Sequence, residues 1–421
     1  MPKTVKFDVF DPVHFHAALV FQSRYEGIGL EISPEVQVYH SRENPLNAFR
    51  AMLAKIEAER KGWKFHYHAS DGPLTEMLEA KTGNALVLAC PNNLKVNAID
   101  EAIVRGYDLV LADKPWVIEP EGMQALKHAV RTATQNGTIL QDIMTERHET
   151  GTIMQNLIME NEGLFGVIAM GTTSAPPIYK RSTHILDKSH LGVVRPPEYF
   201  DIAWQGEGIV DVTTHLVDMV NWLLMPEGVI HEGDISLVRA TRSATVLQPE
   251  DFARITKGHE IREPLPYFCN GTICYTIDGT PVEVEVKWNL KGEDDEHYSS
   301  IQGTNVRIEV EKGPHDKHQK IYVTPQFSVS SEEVKDALDQ HVRKLIMQGY
   351  GGAFVTEQKP RFELVLPQEA YTTHFQHFAQ VTEQALGFLA GKPFQRDIEY
   401  SRLLAKYHLT IAALQMARKS Q

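Results

Sequence analysis

Lys114, Asp211 and His215 are the residues whose types and surroundings best suit the removal of a proton from an alcohol. Lys114 follows a predicted buried strand over residues 109–112, and the carboxyl end of a parallel strand faces the ligand crevice of its sheet. Asp211 and His215 are spaced i, i+4 at the start of a helix predicted over residues 210–224, so they share one face. A carboxylate that orients a histidine beside a lysine can take a hydroxyl proton while hydride leaves the carbon. The ordinary alternative is a solvated loop lysine and a structural Asp–His pair.

The turn at residues 11–16, between the first predicted strand and helix, is where a dinucleotide pyrophosphate binds in doubly wound folds. The glycines of the G-x-G-x-x-G fingerprint are absent from this turn. Backbone N–H groups at the start of a helix attract an anion without them, so we predict pyrophosphate binding here. The cofactor-binding residues predicted in the turn are Asp11, Val13, His14, Phe15 and His16.

The H-x-H pair in that turn, His14 and His16, has a second interpretation. Amidohydrolase barrels hold metal ions with such a pair at the end of their first strand, so a metal-dependent hydrolase is an alternative function. The further residues that such a site needs are available in Lys114, His184, Asp211 and His215. A barrel requires eight strand–helix units, however, and the alternation stops after residue 135. We therefore favour packing and helix-start roles for both histidines and predict no metal site.

Three further strand ends supply residues for cofactor binding. After the second strand, Ser41 and Arg42 suit a 2′-phosphate whereas Glu43 suits a ribose diol, so NAD and NADP both stay open. A Pro-Asn turn follows one later buried strand and opens a helix, and an Asp-Lys-Pro turn follows the next. The residues predicted at these ends are Ser41, Arg42, Cys90, Pro91, Asn92, Asn93, Lys95, Asp113, Lys114 and Pro115.

Polar and aromatic side chains precede the predicted catalytic helix, within residues 179–204. A sugar needs many hydrogen bonds and one apolar surface, which such a mixture provides. A structural loop would also explain this segment. The residues predicted to line a polyol pocket are Tyr179, Arg181, His184 and Trp204.

The elements that must position these residues fall into two groups. Up to about residue 140, short apolar segments alternate with helical ones, which is typical of a doubly wound parallel sheet. From about residue 166 to residue 324, period-two alternation indicates antiparallel strands, and helices close the chain. We predict an α/β protein with one domain over residues 1–145 and a second over residues 146–421.

Composition argues against several functions. Lys and Arg number 42 against 55 Asp and Glu, and the resulting net charge of -13 opposes binding to nucleic acid or to an anionic membrane. No apolar segment approaches the roughly 20 residues that span a bilayer. The N-terminus begins directly as a strand, and the 3 cysteines form no disulfide framework, so we expect a cytoplasmic protein.

The order of these motifs resembles that of the glucose–fructose oxidoreductase/inositol dehydrogenase family. The shared features are the first strand–helix turn, the Pro-Asn turn, the Lys-Pro turn and D-x-x-x-H at a helix start in a second domain. One branch is most similar, because it shares the Asp-Lys-Pro motif and segments like residues 92–95, 181–184 and 205–208. Val13 stands where that branch usually has glycine. The resemblance covers nearly the whole chain.

This resemblance implies an N-terminal Rossmann domain and a C-terminal α/β domain with an open, largely antiparallel sheet. It implies NAD or NADP as cofactor, with Lys114 at the nicotinamide ribose and substrate hydroxyl, His215 as acid–base and Asp211 as its acidic partner. It also implies hydride transfer on a sugar, glycoside or cyclitol, with ring C3 as a candidate position, by a homodimer or homotetramer. A dinucleotide-binding protein without turnover is a third alternative, because Val13 replaces a glycine.

Overall fold

Two β-sheets organise the chain in the computed structural model, which describes residues 3–188 and 194–420. The strands of the first sheet are β1 (Thr4–Phe10), β2 (Glu31–Ser41), β3 (Lys64–Ser70), β4 (Ala85–Leu88), β5 (Leu109–Ala112) and β6 (Ile139–Asp142). They pair in the order β3-β2-β1-β4-β5-β6, and all pairs are parallel. This is the order of dinucleotide-binding domains, in which the direction of winding reverses between β1 and β4. The predicted doubly wound sheet is confirmed, and the eight-unit barrel that the hydrolase alternative required is not formed by these residues.

The helices of this half connect successive parallel strands. β4 and β5 are buried along their whole length, as expected for central strands covered on both faces. The helix predicted over residues 46–60 is shorter than expected, because Glu57 adopts a left-handed backbone conformation with φ of 53°. The helices are α1 (His16–Leu19), α2 (Asn47–Lys55), α3 (Pro73–Ala80), α4 (Asn92–Val104) and α5 (Gly122–Asn136).

The second sheet has nine strands and is largely antiparallel, as predicted. Its strands are β7 (Ile178–Ile185), β8 (Ile235–Leu247), β9 (Leu265–Ile277), β10 (Thr280–Asn289), β11 (Glu296–Gln302), β12 (Val306–Lys312), β13 (Lys320–Pro325), β14 (Phe354–Gln358) and β15 (Arg361–Val365). They pair in the order β14-β15-β13-β12-β11-β7-β10-β9-β8, and only β7 with β10 is parallel among the described pairs. Asp278 and Gly279, with φ of 46° and 74°, form the two-residue turn between β9 and β10.

The remaining helices follow β6, and they pack against either sheet or connect the two halves. They are α6 (Thr150–Met159), α7 (Glu162–Phe165), α8 (Ile202–Gln205), α9 (Gly208–Asp211), α10 (Thr213–Leu224), α11 (Pro249–Ile255), α12 (Ser331–Met347), α13 (His374–Leu389) and α14 (Arg396–Lys419). Phe378, Val381 and Leu386 of α13 belong to the apolar core that covers one face of the first sheet. This helix therefore packs with the first domain, although it lies far beyond residue 145. Within the described residues, every helix is too short or too polar to cross a bilayer.

Candidate active site

A cavity of about 530 Å³ lies where the two halves meet. On one side it is bounded by residues at the carboxyl ends of β1, β4 and β5, where doubly wound sheets bind their ligands. On the other side it is bounded by β7 and β11 of the second sheet. Lys114, Asp211 and His215 all line it, so the structure brings together the three residues predicted as the catalytic set.

Lys114 and Asp211 form an ion pair inside the cavity. Gln205 donates a second hydrogen bond to the Asp211 carboxylate, from Nε2 to Oδ2 at 3.1 Å. Burial by itself would raise the pKa of Asp211, but the charge of Lys114 and the hydrogen bonds from Lys114 and Gln205 outweigh it and lower the pKa. Asp211 is therefore a carboxylate at neutral pH, and it holds the Lys114 ammonium in place.

The single helix predicted over residues 210–224 is divided between α9 and α10. Asp211 ends α9 and His215 lies in the first turn of α10, so the expected i, i+4 pair does not share one continuous helix. The Asp211 carbonyl accepts hydrogen bonds from Lys114 Nζ at 3.4 Å and Thr214 Oγ1 at 2.5 Å, whereas the His215 N–H donates to the Val212 carbonyl at 3.1 Å. The contact with Lys114 thus replaces a helical hydrogen bond, and sequence periodicity could not reveal it.

His215 has a carboxylate partner that the sequence analysis missed. Its Nδ1 forms a close ion-pair contact with Glu146 Oε2, and both side chains line the cavity. Burial opposes ionisation of Glu146, but the charge and hydrogen bond of His215 lower its pKa to about 2. Glu146 lies just beyond β6, so the carboxyl-end rule that identified Lys114 after β5 would have identified it too.

The predicted pyrophosphate turn lies at the edge of the cavity, with Val13, His14, Phe15 and His16 lining it. Asp11 does not line it: the carboxylate accepts hydrogen bonds from Ser41 N–H at 3.1 Å and Asn44 Nδ2 at 2.9 Å, which tie β1 to the end of β2. His14 and His16 both approach the Asp113 carboxylate, which makes three potential metal ligands. The sequence analysis considered the two histidines as metal ligands but not Asp113.

Some of the residues predicted at the other strand ends line the cavity, and others lie outside it. Cys90, Asn92, Asp113 and Lys114 line the cavity, whereas Pro91, Asn93, Pro115, Ser41 and Arg42 do not. The prediction that Lys95 touches the cofactor is corrected, because this side chain is fully buried and its ammonium binds Asp113 at 2.5 Å and Asn92 at 2.8 Å. The Arg42 guanidinium contacts exposed Asp71 at 3.0 Å on the surface.

Alternate residues of β7 form the floor of the cavity on the second sheet. Lys180, Ser182 and His184 line it, and the neighbouring strand β11 adds His297 and Ser299. His184 stacks on Trp288 with ring centres 4.6 Å apart, and Ser182 Oγ lies 2.6 Å from its Nε2. Trp204, a predicted pocket residue, also lines the cavity. Arg181 borders it, but alternation along β7 directs its side chain to the other face of the sheet, where its charge acts on Tyr179 and Glu285.

Tyr179 requires a correction, because it does not line the cavity. Its hydroxyl donates to Glu285 Oε2 at 2.7 Å, and its ring lies near that of Tyr298. In a strand, successive side chains point to opposite faces of the sheet, so Tyr179 and Lys180 cannot both face the cavity. The period-two rule applied to β7 from the sequence would have selected Lys180 and Ser182 with His184.

Two ionisable groups at this floor, the buried Lys180 and the partly buried Glu149, also escaped the sequence analysis. Lys180 Nζ donates to Gln155 Oε1 at 3.0 Å and to Ser299 Oγ at 2.7 Å, and burial lowers its pKa to about 7. Burial, together with the charge of Glu146, raises the pKa of Glu149 to about 7. These groups and the neighbouring histidines give the floor many hydrogen-bond donors and acceptors.

The fold and this site define a two-domain oxidoreductase, with a doubly wound domain and a second sheet enclosing one polar cavity. The family model described as "Putative oxidoreductase C terminal domain" matches residues 154–418. The chain belongs to this family, and its resemblance to the glucose–fructose oxidoreductase/inositol dehydrogenase family is confirmed. No curated protein matches the chain.

Solved structures agree with this assignment. A crystal structure of a putative oxidoreductase from Parabacteroides merdae is 30% identical, with a TM-score of 0.93 over 100% of this chain and 99% of that chain. Levoglucosan dehydrogenase, in complex with NADH and levoglucosan, shares the fold at 14% identity and a TM-score of 0.64, over 100% of this chain and 98% of that chain. So does the WlbA dehydrogenase from Bordetella pertussis, in complex with NADH and UDP-GlcNAcA, at 16% identity and a TM-score of 0.58, over 100% and 97%.

Proposed function

We propose that this protein transfers hydride between NAD or NADP and a hydroxyl or keto carbon of a sugar, glycoside or cyclitol. One observation carries the proposal: Lys114, Asp211 and His215 line a single cavity at the carboxyl ends of the parallel strands. The cavity lies where the winding of the first sheet reverses, which is the place for a dinucleotide. The relatives described as complexes with NADH support the cofactor class.

The residues at this edge fit the nicotinamide half of such a cofactor. Asn92 and Lys114 present polar groups at the ends of β4 and β5, where they would hold the nicotinamide ribose. The turn at residues 13–16 would face the diphosphate, and Ser41 and Arg42 would face the adenosine ribose. The bound nicotinamide would accept or return the hydride at the substrate carbon.

His215 is the proposed acid–base. The Glu146 carboxylate at Nδ1 fixes a proton on that nitrogen, which leaves the Nε2 lone pair to take the hydroxyl proton of the substrate. Lys114, held by Asp211, donates a hydrogen bond to the same oxygen and stabilises the negative charge that develops there. In the reverse direction His215 returns the proton to the oxygen.

The polar floor supports a sugar-like substrate. It offers ammonium, imidazole, hydroxyl and carboxyl groups within one cavity, and the indole rings of Trp204 and Trp288 line the same space. Sugars combine hydroxyl groups with an apolar ring face, so this mixture suits them. The relatives described above are complexes with levoglucosan and with UDP-GlcNAcA, which supports the same class. Ring C3 is the proposed position of oxidation, by the family resemblance.

A binding and turnover experiment tests this function. We expect the purified protein to quench or enhance NADH or NADPH fluorescence on binding, and to reduce NAD or NADP with at least one member of a sugar, glycoside and cyclitol panel. Extraction of denatured protein would also identify a dinucleotide that co-purifies. Dinucleotide binding without turnover across the panel would favour the non-catalytic alternative, and absence of both would contradict the proposal.

Alanine at Arg181 or His184 is expected to raise KM for the substrate found in that panel. The change at His184 removes a hydrogen-bonding group from the cavity, and the change at Arg181 removes a charge at its border; a loss of about 1.5–3 kcal/mol corresponds to roughly 10-fold or more. Dinucleotide affinity should be unchanged, because neither residue lies at the carboxyl ends of the first sheet, where the dinucleotide is proposed to bind. Tyr179→Phe is the matched control, since its hydroxyl contacts Glu285 outside the cavity. Unchanged kinetics in both alanine variants would count against this substrate wall.

The protein is proposed to be a cytoplasmic homo-oligomer. The family resemblance supports a homodimer or homotetramer. Cys90, Cys269 and Cys274 are buried free thiols, which is the state expected in a reducing compartment such as the cytoplasm.

A further inference from the structure

Three potential metal ligands meet at the edge of the cavity. One ligand atom from each of His14, His16 and Asp113 lies within 4.8 Å of the other two. Asp113 Oδ2 is 3.3 Å from His16 Nδ1 and 3.9 Å from His14 Nδ1. Ligands bound at about 2.0–2.1 Å in a tetrahedral site lie about 3.4 Å apart, so the first pair already has this spacing. The second pair needs to close by only about 0.5 Å.

The carboxylate of this group is held from behind by a buried lysine. Lys95 Nζ donates to Asp113 Oδ1 at 2.5 Å, and Asp113 itself is 7% exposed. This bond uses one carboxylate oxygen and leaves Oδ2 directed at the two histidines. Partners of this kind, which orient a ligand without touching the ion, are typical of metal sites.

The backbone of the same turn explains what an ion would add. The Val13 N–H donates to the Asp11 carbonyl at 2.8 Å, and the His14 N–H donates to the Ala89 carbonyl at 3.2 Å. Two donors that a glycine-rich turn would direct at a diphosphate therefore bond within the protein. A cation bound to the adjacent side chains would restore positive charge at this position.

We propose that His14, His16 and Asp113 bind one divalent transition-metal ion of the zinc class, and that this ion contributes the positive charge for the dinucleotide diphosphate. Two imidazoles and a carboxylate are ligands that zinc prefers, and these three, all within 4.8 Å of one another, would leave a fourth coordination position for a ligand from the cavity. The ion site itself is independent of the proposed function, whereas its role in dinucleotide binding rests on that function.

Calorimetric titration of chelator-treated protein with Zn²⁺, without dinucleotide or substrate, tests the site. We expect one equivalent to bind, and Co²⁺ to give the visible absorption of a low-symmetry site. His14→Ala and Asp113→Asn should each weaken zinc binding by more than about 10-fold, the lower end for loss of a mere supporting group. His14→Ala should disturb folding less than Asp113→Asn, because the His14 side chain is 41% exposed and that of Asp113 is 7% exposed. Unchanged thermal unfolding of the metal-free variants would confirm that they fold.

A second H-x-H pair supplies the matched control. His66 and His68 have the same spacing on β3, but their Nε2 atoms lie 2.6 Å from Glu35 Oε2 and 2.8 Å from Gln37 Oε1. The double variant His66→Gln/His68→Gln should bind zinc as the wild type does. Equal zinc affinity in the wild type and His14→Ala, or loss of binding in the control variant alone, would overturn the site.

The role of the ion is tested by NADH titration with and without one equivalent of Zn²⁺. We expect zinc to tighten NADH binding to the wild type at least about fivefold, the lower end of usual coupling, and to have no effect on His14→Ala. Zinc binding that leaves NADH affinity unchanged would overturn this role. Zinc binding by a protein that never binds NADH or NADPH would support the ion site and contradict the proposed function.

Discussion

His215→Asn lowers kcat by at least about 100-fold, the usual loss when an acid–base group is removed, on a substrate that the wild-type protein oxidises. Asparagine keeps a polar side chain beside Glu146 but has no nitrogen lone pair that can take a proton at neutral pH. The turn at residues 11–16 and the carboxyl ends of β4 and β5, where NADH is proposed to bind, are untouched, so NADH binding should remain measurable. Steady-state kinetics together with a fluorescence titration of NADH separates the two effects.

Lys114→Met should reduce kcat by a similar factor for a different reason. The change removes the cation beside the substrate oxygen, and it leaves the buried Asp211 carboxylate with Gln205 as its remaining side-chain donor. Because Lys114 is also proposed to contact the nicotinamide ribose, this variant should lose NADH affinity as well. A fall in both quantities for Lys114→Met, but in kcat alone for His215→Asn, would distinguish the two roles.

His408→Asn provides the control for these substitutions. His408 lies on α14, is well exposed, and contacts Glu232 at 3.5 Å away from the cavity. Its replacement should leave kcat and NADH affinity as in the wild type. Near-normal kcat in both His215→Asn and Lys114→Met would remove these residues from the mechanism and direct attention to the histidines of the first turn.

The features predicted correctly from the sequence are those that depend on a local residue pattern, such as the buried strands and the residues that follow them. The apolar segments that became β4 and β5 have no polar position, which only a strand covered on both faces tolerates. Once those strands are assigned, the carboxyl-end rule places Lys114 in the crevice without any knowledge of its partner. Asp211 and His215 followed from their spacing, although the helix between them is interrupted at Val212.

What escaped prediction depends on contacts between distant segments. Glu146 lies in a short turn beyond β6, so the carboxyl-end rule could place it at the crevice, but only the fold shows that it pairs with His215. In the sequence Lys180 resembles any polar strand residue, because its burial depends on contacts with Gln155 of α6 and Ser299 of the neighbouring strand β11. Helix α13 has a clear apolar stripe, but a stripe does not specify which sheet it covers. Pairing of separate segments is therefore the information that one sequence did not provide.

A buried group of charges joins the end of the first sheet to α10 and α14. Lys406 of α14 is 1% exposed and binds Asp142 at 2.8 Å and Asp218 at 3.1 Å. Arg147 donates to Asp218 from two nitrogens, at 2.6 and 2.9 Å. The Tyr407 hydroxyl donates to Asp142 at 2.9 Å and accepts from the Trp116 N–H, two residues beyond Lys114. The same network thus supports both the domain junction and the segment that carries Lys114.

Lys406→Met is expected to lower the free energy of unfolding by about 3–5 kcal/mol, the cost of leaving a buried charge without its partner. Methionine fills a similar volume, so the loss reports the unpaired carboxylates more than a cavity. Denaturant unfolding of both proteins measures it. The matched control is Lys335→Met, which removes an exposed lysine bound to Asp339 at 2.6 Å and should leave stability nearly unchanged.

The difference between Lys406→Met and the wild type should also depend on pH. The charges of Arg147 and Lys406 lower the pKa of Asp218 against the opposing effect of burial, so in the wild type its stabilising contribution is present above about pH 4 and is lost as the pH falls below that. Without Lys406, the buried carboxylates that it paired carry negative charge with less compensation, and protonation in acid removes that unfavourable charge. The difference in free energy of unfolding between the wild type and Lys406→Met is therefore largest near pH 7 and becomes smaller towards pH 4. If this difference stayed constant over the same pH range, the destabilisation would come from disturbed packing around the methionine and not from lost charge pairing.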